Sequence, residues 1–81
     1  MIVNVIHMNK NTFAKVAEYA VEDGREDDVV LEEAFVATQN VEKSWSPNRY
    51  RSTTVGDWID LIKNGEHNVF EVGCVGFKRV L

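Results

Sequence analysis

Cys74, His7 and His67, with Asp57 and Asp60, are the residues of this chain whose types could carry covalent or acid–base chemistry. A thiol with a histidine to take its proton, and a carboxylate to orient that histidine, is the composition of a nucleophile site. Cys74 lies in the run Gly73-Cys74-Val75-Gly76, with His67, Asp57 and Asp60 as conceivable partners. The competing reading is structural. A lone cysteine on an apolar strand behaves as a small buried hydrophobe, and His67, beside a turn, reads as a surface residue rather than a base. One Cys and two separated His fall short of the roughly four ligands at motif spacing that a zinc site wants. There is no glycine-rich loop to cradle a phosphate. The sequence therefore assigns no catalytic residue, no metal ligand and no cofactor.

Binding chemistry is better represented. Trp45, Arg49, Tyr50 and Arg51 interleave aromatic and basic residues, the composition of base stacking combined with phosphate contacts. Protein-interface hot spots are enriched in the same residue types. A third reading leaves Trp45 and Tyr50 merely covering the open end of the core. Acidic residues cluster elsewhere: Glu22, Asp23, Glu26, Asp27, Asp28, Glu32 and Glu33 are opposed over that stretch by Arg25 alone. They make a local negative field, either a solvated loop and helix start or a mimic of a phosphate backbone presented to a DNA-binding host protein. With a net charge of −4, nonspecific binding to a polyanion would be weak, so a protein partner is favoured.

These residues must be placed by a small fold. The 81 residues make one domain, residues 1–81, with no room for a second core. A chain this size buries about 60–65% of its unfolded surface, so stability is modest unless it self-associates into a homo-oligomer. An apolar content of 44% describes an ordered globular chain rather than a disordered one. A single cysteine excludes an internal disulfide and suits a reducing cytosol. No apolar run approaches the ~20 residues that span a bilayer, and the start Met1-Ile-Val-Asn has no basic region or cleavage site. The expected location is cytoplasmic, with no membrane partner.

The strongest local signal is Asn64-Gly65 between two runs rich in β-branched and aromatic residues, which reads as a hairpin with a type I′ turn. A two-residue turn pairs Lys63 with Glu66 and Ile59 with Phe70. Alternation then puts Ile59, Leu61, Phe70 and Val72 on one face, and Trp58, Asp60, Ile62, His67, Val69 and Glu71 on the other. That second face is either covered by another element or a contact surface. Ile2–Met8 alternates as a strand, and Asn9-Lys-Asn-Thr12 is a turn cluster. Phe13–Val21 fits either element. Phe13, Val16, Ala17, Ala20 and Val21 are helically spaced, whereas a strand would put Phe13, Ala17, Tyr19 and Val21 on one face. Glu22–Asp28 is a polar turn. A helix from about Val30 to Asn40 carries the stripe Leu31, Ala34, Phe35, Thr38 and Val41, capped by Asp27 or Asp28 and ended by Asn40. Glu42–Arg51 is a loop. Gly73 and Gly76 suggest a tight bend before a last strand, Phe77–Leu81.

The run Arg51-Ser-Thr-Thr-Val-Gly-Asp57, followed by Val75-Gly-Phe77, resembles small uncharacterised proteins of bacteriophages and mobile elements that carry an RS-x-S-VGD-[VI] segment and a closing VG-[FW]. Lys15-Val-Ala-Glu18, Leu31-Glu-Glu-Ala-Phe35 and Trp45 are similar to the same layout. Thr54 and Trp58 depart from it, standing where that group has Ser and a small β-branched residue. The resemblance favours the strand for Phe13–Val21 and implies a phage or mobile-element origin, but no activity. The expected fold is thus α+β, in the order ββαβββ, with one helix on a mainly antiparallel sheet. The expected function is that of a non-enzymatic accessory protein, an inhibitor or host-takeover factor, that binds a host or phage protein. Its surface would comprise Trp45, Arg49, Tyr50, Arg51 and Trp58. The alternative is a nucleic-acid-linked role, through the acidic cluster as DNA mimic or through Arg49 and Arg51 directly.

Overall fold

The computed structural model describes residues 1–40, 42, 45 and 50–81. The chain runs β1 (Ile2–Asn9), β2 (Thr12–Ala20), α1 (Asp27–Ala37), β3 (Trp58–Lys63), β4 (Glu66–Val72) and β5 (Phe77–Arg79). The strands form a five-stranded sheet in the order β2-β1-β3-β4-β5, and every neighbouring pair is antiparallel. This is the α+β arrangement in the expected order. No helix is long and apolar enough to cross a membrane among the described residues.

The β3–β4 hairpin forms in the register set by its turn. Lys63 faces Glu66, Ile59 faces Phe70 and Trp58 faces Glu71. Asn64 and Gly65 take φ of 51° and 80°, the left-handed pair a type I′ turn requires. The ambiguous segment is a strand, Thr12–Ala20, and its helix-like spacing comes from a β-bulge. Val5 pairs with Ala17 but Ile6 pairs with Lys15, leaving Val16 as the extra residue. Strict alternation put Phe13 on the same face as Ala17 and Tyr19. The bulge turns the phase, so Ala17 and Tyr19 share the side of Val5 and Val3, while Phe13, opposite Met8, emerges on the other side at 73% exposure.

The helix begins and ends earlier than its apolar stripe suggested, at Asp27 and Ala37 rather than Val30 and Asn40. Glu26 occupies the N-cap without a side-chain cap bond, so Asp27 and Asp28 lie in the first turn instead of capping it. There they complement the positive end of the helix dipole. Thr38, not Asn40, closes the helix, its hydroxyl donating to the Ala34 carbonyl at 2.9 Å. Val41 lies outside the described residues. Val30, Leu31 and Ala34 pack on Val3 and Val5 of β1, Ile59 and Leu61 of β3 and Val72 of β4. Phe35 meets Phe77 edge-on at 6.5 Å.

Topology explains why the core is one-sided. β2 and β3 flank β1 and run parallel to each other, so the chain must cross over the sheet between them. Helix α1 makes that crossing on the face of Val3 and Val5. The other connections join adjacent antiparallel strands and stay at the sheet's ends. Among the described residues, none therefore passes over the second face.

Candidate functional site

Two groups of side chains stand out. The first is a buried polar cluster where the end of β1 meets the segment leading into β3. His7 shares the helix-side face with Val3 and Val5, and its Nε2 lies 2.9 Å from Thr53 Oγ1. Asp57 is buried and accepts four hydrogen bonds. Met8 N (2.9 Å) and Arg51 Nη2 (2.8 Å) donate to Oδ1, and Thr54 N (2.8 Å) and Arg51 Nη1 (2.6 Å) donate to Oδ2. Thr53 N donates to the Thr38 carbonyl, and Gln39 Nε2 spans the Phe35 and Thr53 carbonyls. Ser52 Oγ accepts from Asn40 N at 2.8 Å. The hydroxyls and carboxylate of the Arg51–Asp57 run therefore tie the helix C-terminus, the end of β1 and the start of β3 together. Gly56, at φ 95°, makes the turn that lets Asp57 face inward.

Burial by itself would push the Asp57 carboxyl up. The Arg51 guanidinium, the Thr54 and Met8 N–H groups and His7 outweigh it and hold the carboxyl below its ordinary value of 3.8. Burial lowers His7 from its ordinary 6.5. Asp57 opposes that fall and Arg51 adds to it. His7 and Thr53 have the spacing of a base and a nucleophile, but Asp57 Oδ2 approaches the same Nε2, at 3.9 Å. In a triad the orienting carboxylate engages the far nitrogen. Both His7 and Thr53 are also buried. The cluster's evident work is to close the end of the fold.

Trp45 and Tyr50 belong to this closure. Trp45 meets the His7 ring edge-on at 6.1 Å and stacks on Tyr50 at 5.7 Å. It is 4% exposed, so its indole cannot serve as a presented contact without opening the core. Arg51 is committed to Asp57, and Arg49 lies outside the described residues. Tyr50 remains exposed. Trp58 projects from the opposite side of the sheet. The structure thus separates residues that the sequence reading joined into one surface.

That opposite side is the second group. Its central row runs Glu18–Asn4–Asp60–Val69 across four strands. Beside it lie the pairs Ile6–Trp58 and Ile2–Ile62. Ile6, Trp58 and Ile62 are half-buried, and Ile2 and Phe13 are exposed. Asp60 Oδ2 lies 2.5 Å from Nδ1 of His67, whose side chain is 62% exposed. His67 is a surface residue as read, but it is held to a buried carboxylate by its cross-strand diagonal position. Sequence reasoning singled out Trp58 but missed Asp60 and Asn4 as a pair. Only the β1–β3 register, which joins segments far apart in the chain, reveals them.

The acidic cluster is partly neutralised. Asp23 pairs with the Met1 ammonium at 2.5 Å, Asp27 with Lys63 at 2.5 Å, and Glu33 with Arg25. Glu22, Glu26, Asp28 and Glu32 are exposed alongside. Cys74 is exposed in the bend between β4 and β5, correcting the expectation of a buried thiol. The bend holds its backbone outside the sheet, so Cys74 has no face to bury. No group of three or more metal-ligating side chains occurs among the described residues. In comparisons with protein-family models, with curated proteins and with solved structures, nothing matched this chain.

Proposed function

We propose that this chain is a small phage-type accessory protein that acts by binding a host or phage protein, without catalysis, in the host cytoplasm. The observation that carries the reading is the sheet face that no described residue crosses, where Trp58, Ile6 and Ile62 are half-buried and Ile2 is exposed around a polar centre. A sheet face that sets a large aromatic residue and isoleucines beside a buried polar row has the anatomy of an interface hot spot. The resemblance of the Arg51–Asp57 run supports the phage-type origin, and the polar roles that run fulfils are structural. The contact surface is accordingly centred on Trp58 rather than on the Trp45–Arg51 loop. A nucleic-acid role is less well supported, because Arg51 is engaged by Asp57 and three of the clustered carboxylates are paired.

Affinity capture from host lysate tests this, with the wild type compared with a Trp58→Glu/Ile62→Glu variant and with a Glu22→Gln/Asp28→Asn/Glu32→Gln variant. Partners should be held by the wild type and the acidic-cluster variant and lost by the sheet-face variant. Equal recovery by all three rejects the surface. Loss confined to the acidic-cluster variant, with a partner displaced by DNA, selects the mimic.

A further inference from the structure

We infer that the sheet face opposite the helix receives an arginine side chain of the protein partner, its guanidinium taken up by Asn4 and Asp60 beside Trp58. This rests on the reading of that face as the protein-binding surface and specifies what it recognises. Asn4 and Asp60 are directly opposite one another on β1 and β3, near the middle of the sheet. Asn4 is 9% exposed and the Asp60 side chain 7%. His67 occupies Asp60 Oδ2. Asp60 Oδ1 and Asn4 Oδ1 are buried with no hydrogen-bond donor among the described residues. Two unsatisfied acceptors on facing residues weaken the free protein, and a Val or Thr pair would cost nothing comparable. What the pair lacks is a donor. Because one acceptor is a carboxylate, the donor that complements it best is cationic.

The surroundings select among cations. Ile6–Trp58 and Ile2–Ile62 flank the polar row and offer apolar contact for a methylene stem. The Trp58 indole offers a face for cation–π contact. A planar guanidinium can bond two acceptors on neighbouring strands with its flat face stacked on a ring, a fixed fork that an ammonium, a compact point charge, lacks. Glu71, opposite Trp58, adds a carboxylate at the rim, with Lys78 facing it from β5. Lys15, on the same face, is already paired with Glu18 at 2.6 Å. A second copy of this chain fits less well, since a two-fold contact centred on this row would set Asp60 against Asp60. Both oxygens are buried, so the guanidinium reaches them only as the side chains around them part.

The test is an amide and indole NMR titration of the intact chain with N-acetyl-arginine methylamide, its lysine counterpart and its uncharged isostere N-acetyl-citrulline methylamide. The arginine probe should give saturable shifts centred on Asn4, Trp58, Asp60 and His67, with the citrulline probe at least about tenfold weaker. Asp60→Asn should weaken the arginine probe by at least about tenfold, with a thermal midpoint equal to or above wild type, because the new amide can donate to Asn4. Trp58→Leu should fold and weaken binding about threefold. Should Asp60→Asn fail to fold, Asn4→Val, which removes one acceptor, must still weaken the probe. Any of the following overturns the inference: no saturable response, citrulline or lysine binding equal to arginine, shifts centred on Asp28 and Glu32, or unchanged binding by Asp60→Asn. So does an Asn4 side-chain amide already bonded to Asp60 in the free protein, or a dimer that buries Trp58 before any probe is added. A captured partner that depends on Trp58 and Ile62, alongside silence toward arginine, overturns the arginine assignment while the wider reading stands. A partner indifferent to Trp58→Glu removes both.

Discussion

Asp57 shows how much one side chain can hold in a fold this small. Its carboxylate satisfies two backbone N–H groups and both terminal nitrogens of Arg51. Asp57→Ala leaves the backbone donors buried and unpaired, and should cost about 3 kcal/mol or more in urea unfolding. Arg51→Ala leaves those backbone bonds intact but takes the counter-charge from a buried carboxylate, and should cost less, about 2 kcal/mol. Equal losses would mean that the ion pair, and not the backbone capture, is what matters. His7 adds a pH dependence. Its folded-state pKa lies below the ordinary 6.5, so the unfolded chain binds the proton more readily. The stability it contributes is complete above pH 6.5 and is lost as pH falls below it toward the folded value. Asp57, depressed below 3.8, has the same sign at lower pH: its contribution is present above 3.8 and lost as pH falls through the folded value. The unfolding midpoint should therefore drop between about pH 7.5 and 5, and His7→Gln should flatten that slope.

At the scale of elements, the helix and the β3–β4 hairpin follow local rules and can be tested locally. Leu31 is fully buried against β1 and β3, so Leu31→Ala should cost about 2–5 kcal/mol. Val36, exposed on the same helix, should change stability by no more than about 0.5 kcal/mol when replaced by alanine. Gly56 has open space around its missing Cβ but sits at φ 95°. Gly56→Ala should therefore cost about 1 kcal/mol or more through backbone strain alone, read as a lowered denaturant midpoint. The hairpin register was legible because Asn64-Gly65 dictates both turn and pairing. The phase of β2 was not. A bulge inserts one residue without any compositional mark, and Val16 makes the strand look helical. The helix ends were blurred because Asp27 and Asp28 suit a cap and a first turn equally.

Over the whole molecule, the order of elements and the inner face could be read from alternation and turn chemistry. The sheet order could not, because the β1–β3 pairing joins the first strand to one far along the chain. That pairing determines which side chains meet on the second face. It places Asn4 against Asp60 and Ile6 against Trp58, and it puts Trp58 on the side away from Trp45 and Tyr50. A surface assembled from residue types alone mixed the two sides. The crossover through α1 explains the difference between them: one face is roofed by the helix, and the other carries a tryptophan, isoleucines and a carboxylate with one oxygen unpaired among the described residues. The two tryptophans thus report on opposite sides of one sheet. Fluorine NMR of the intact chain labelled with 5-fluorotryptophan, free and with its captured partner, reads the two sides separately. The Trp58 resonance should shift and lose solvent contact while that of Trp45 stays in place. A bound partner that moves Trp45 and leaves Trp58 unchanged would contradict this.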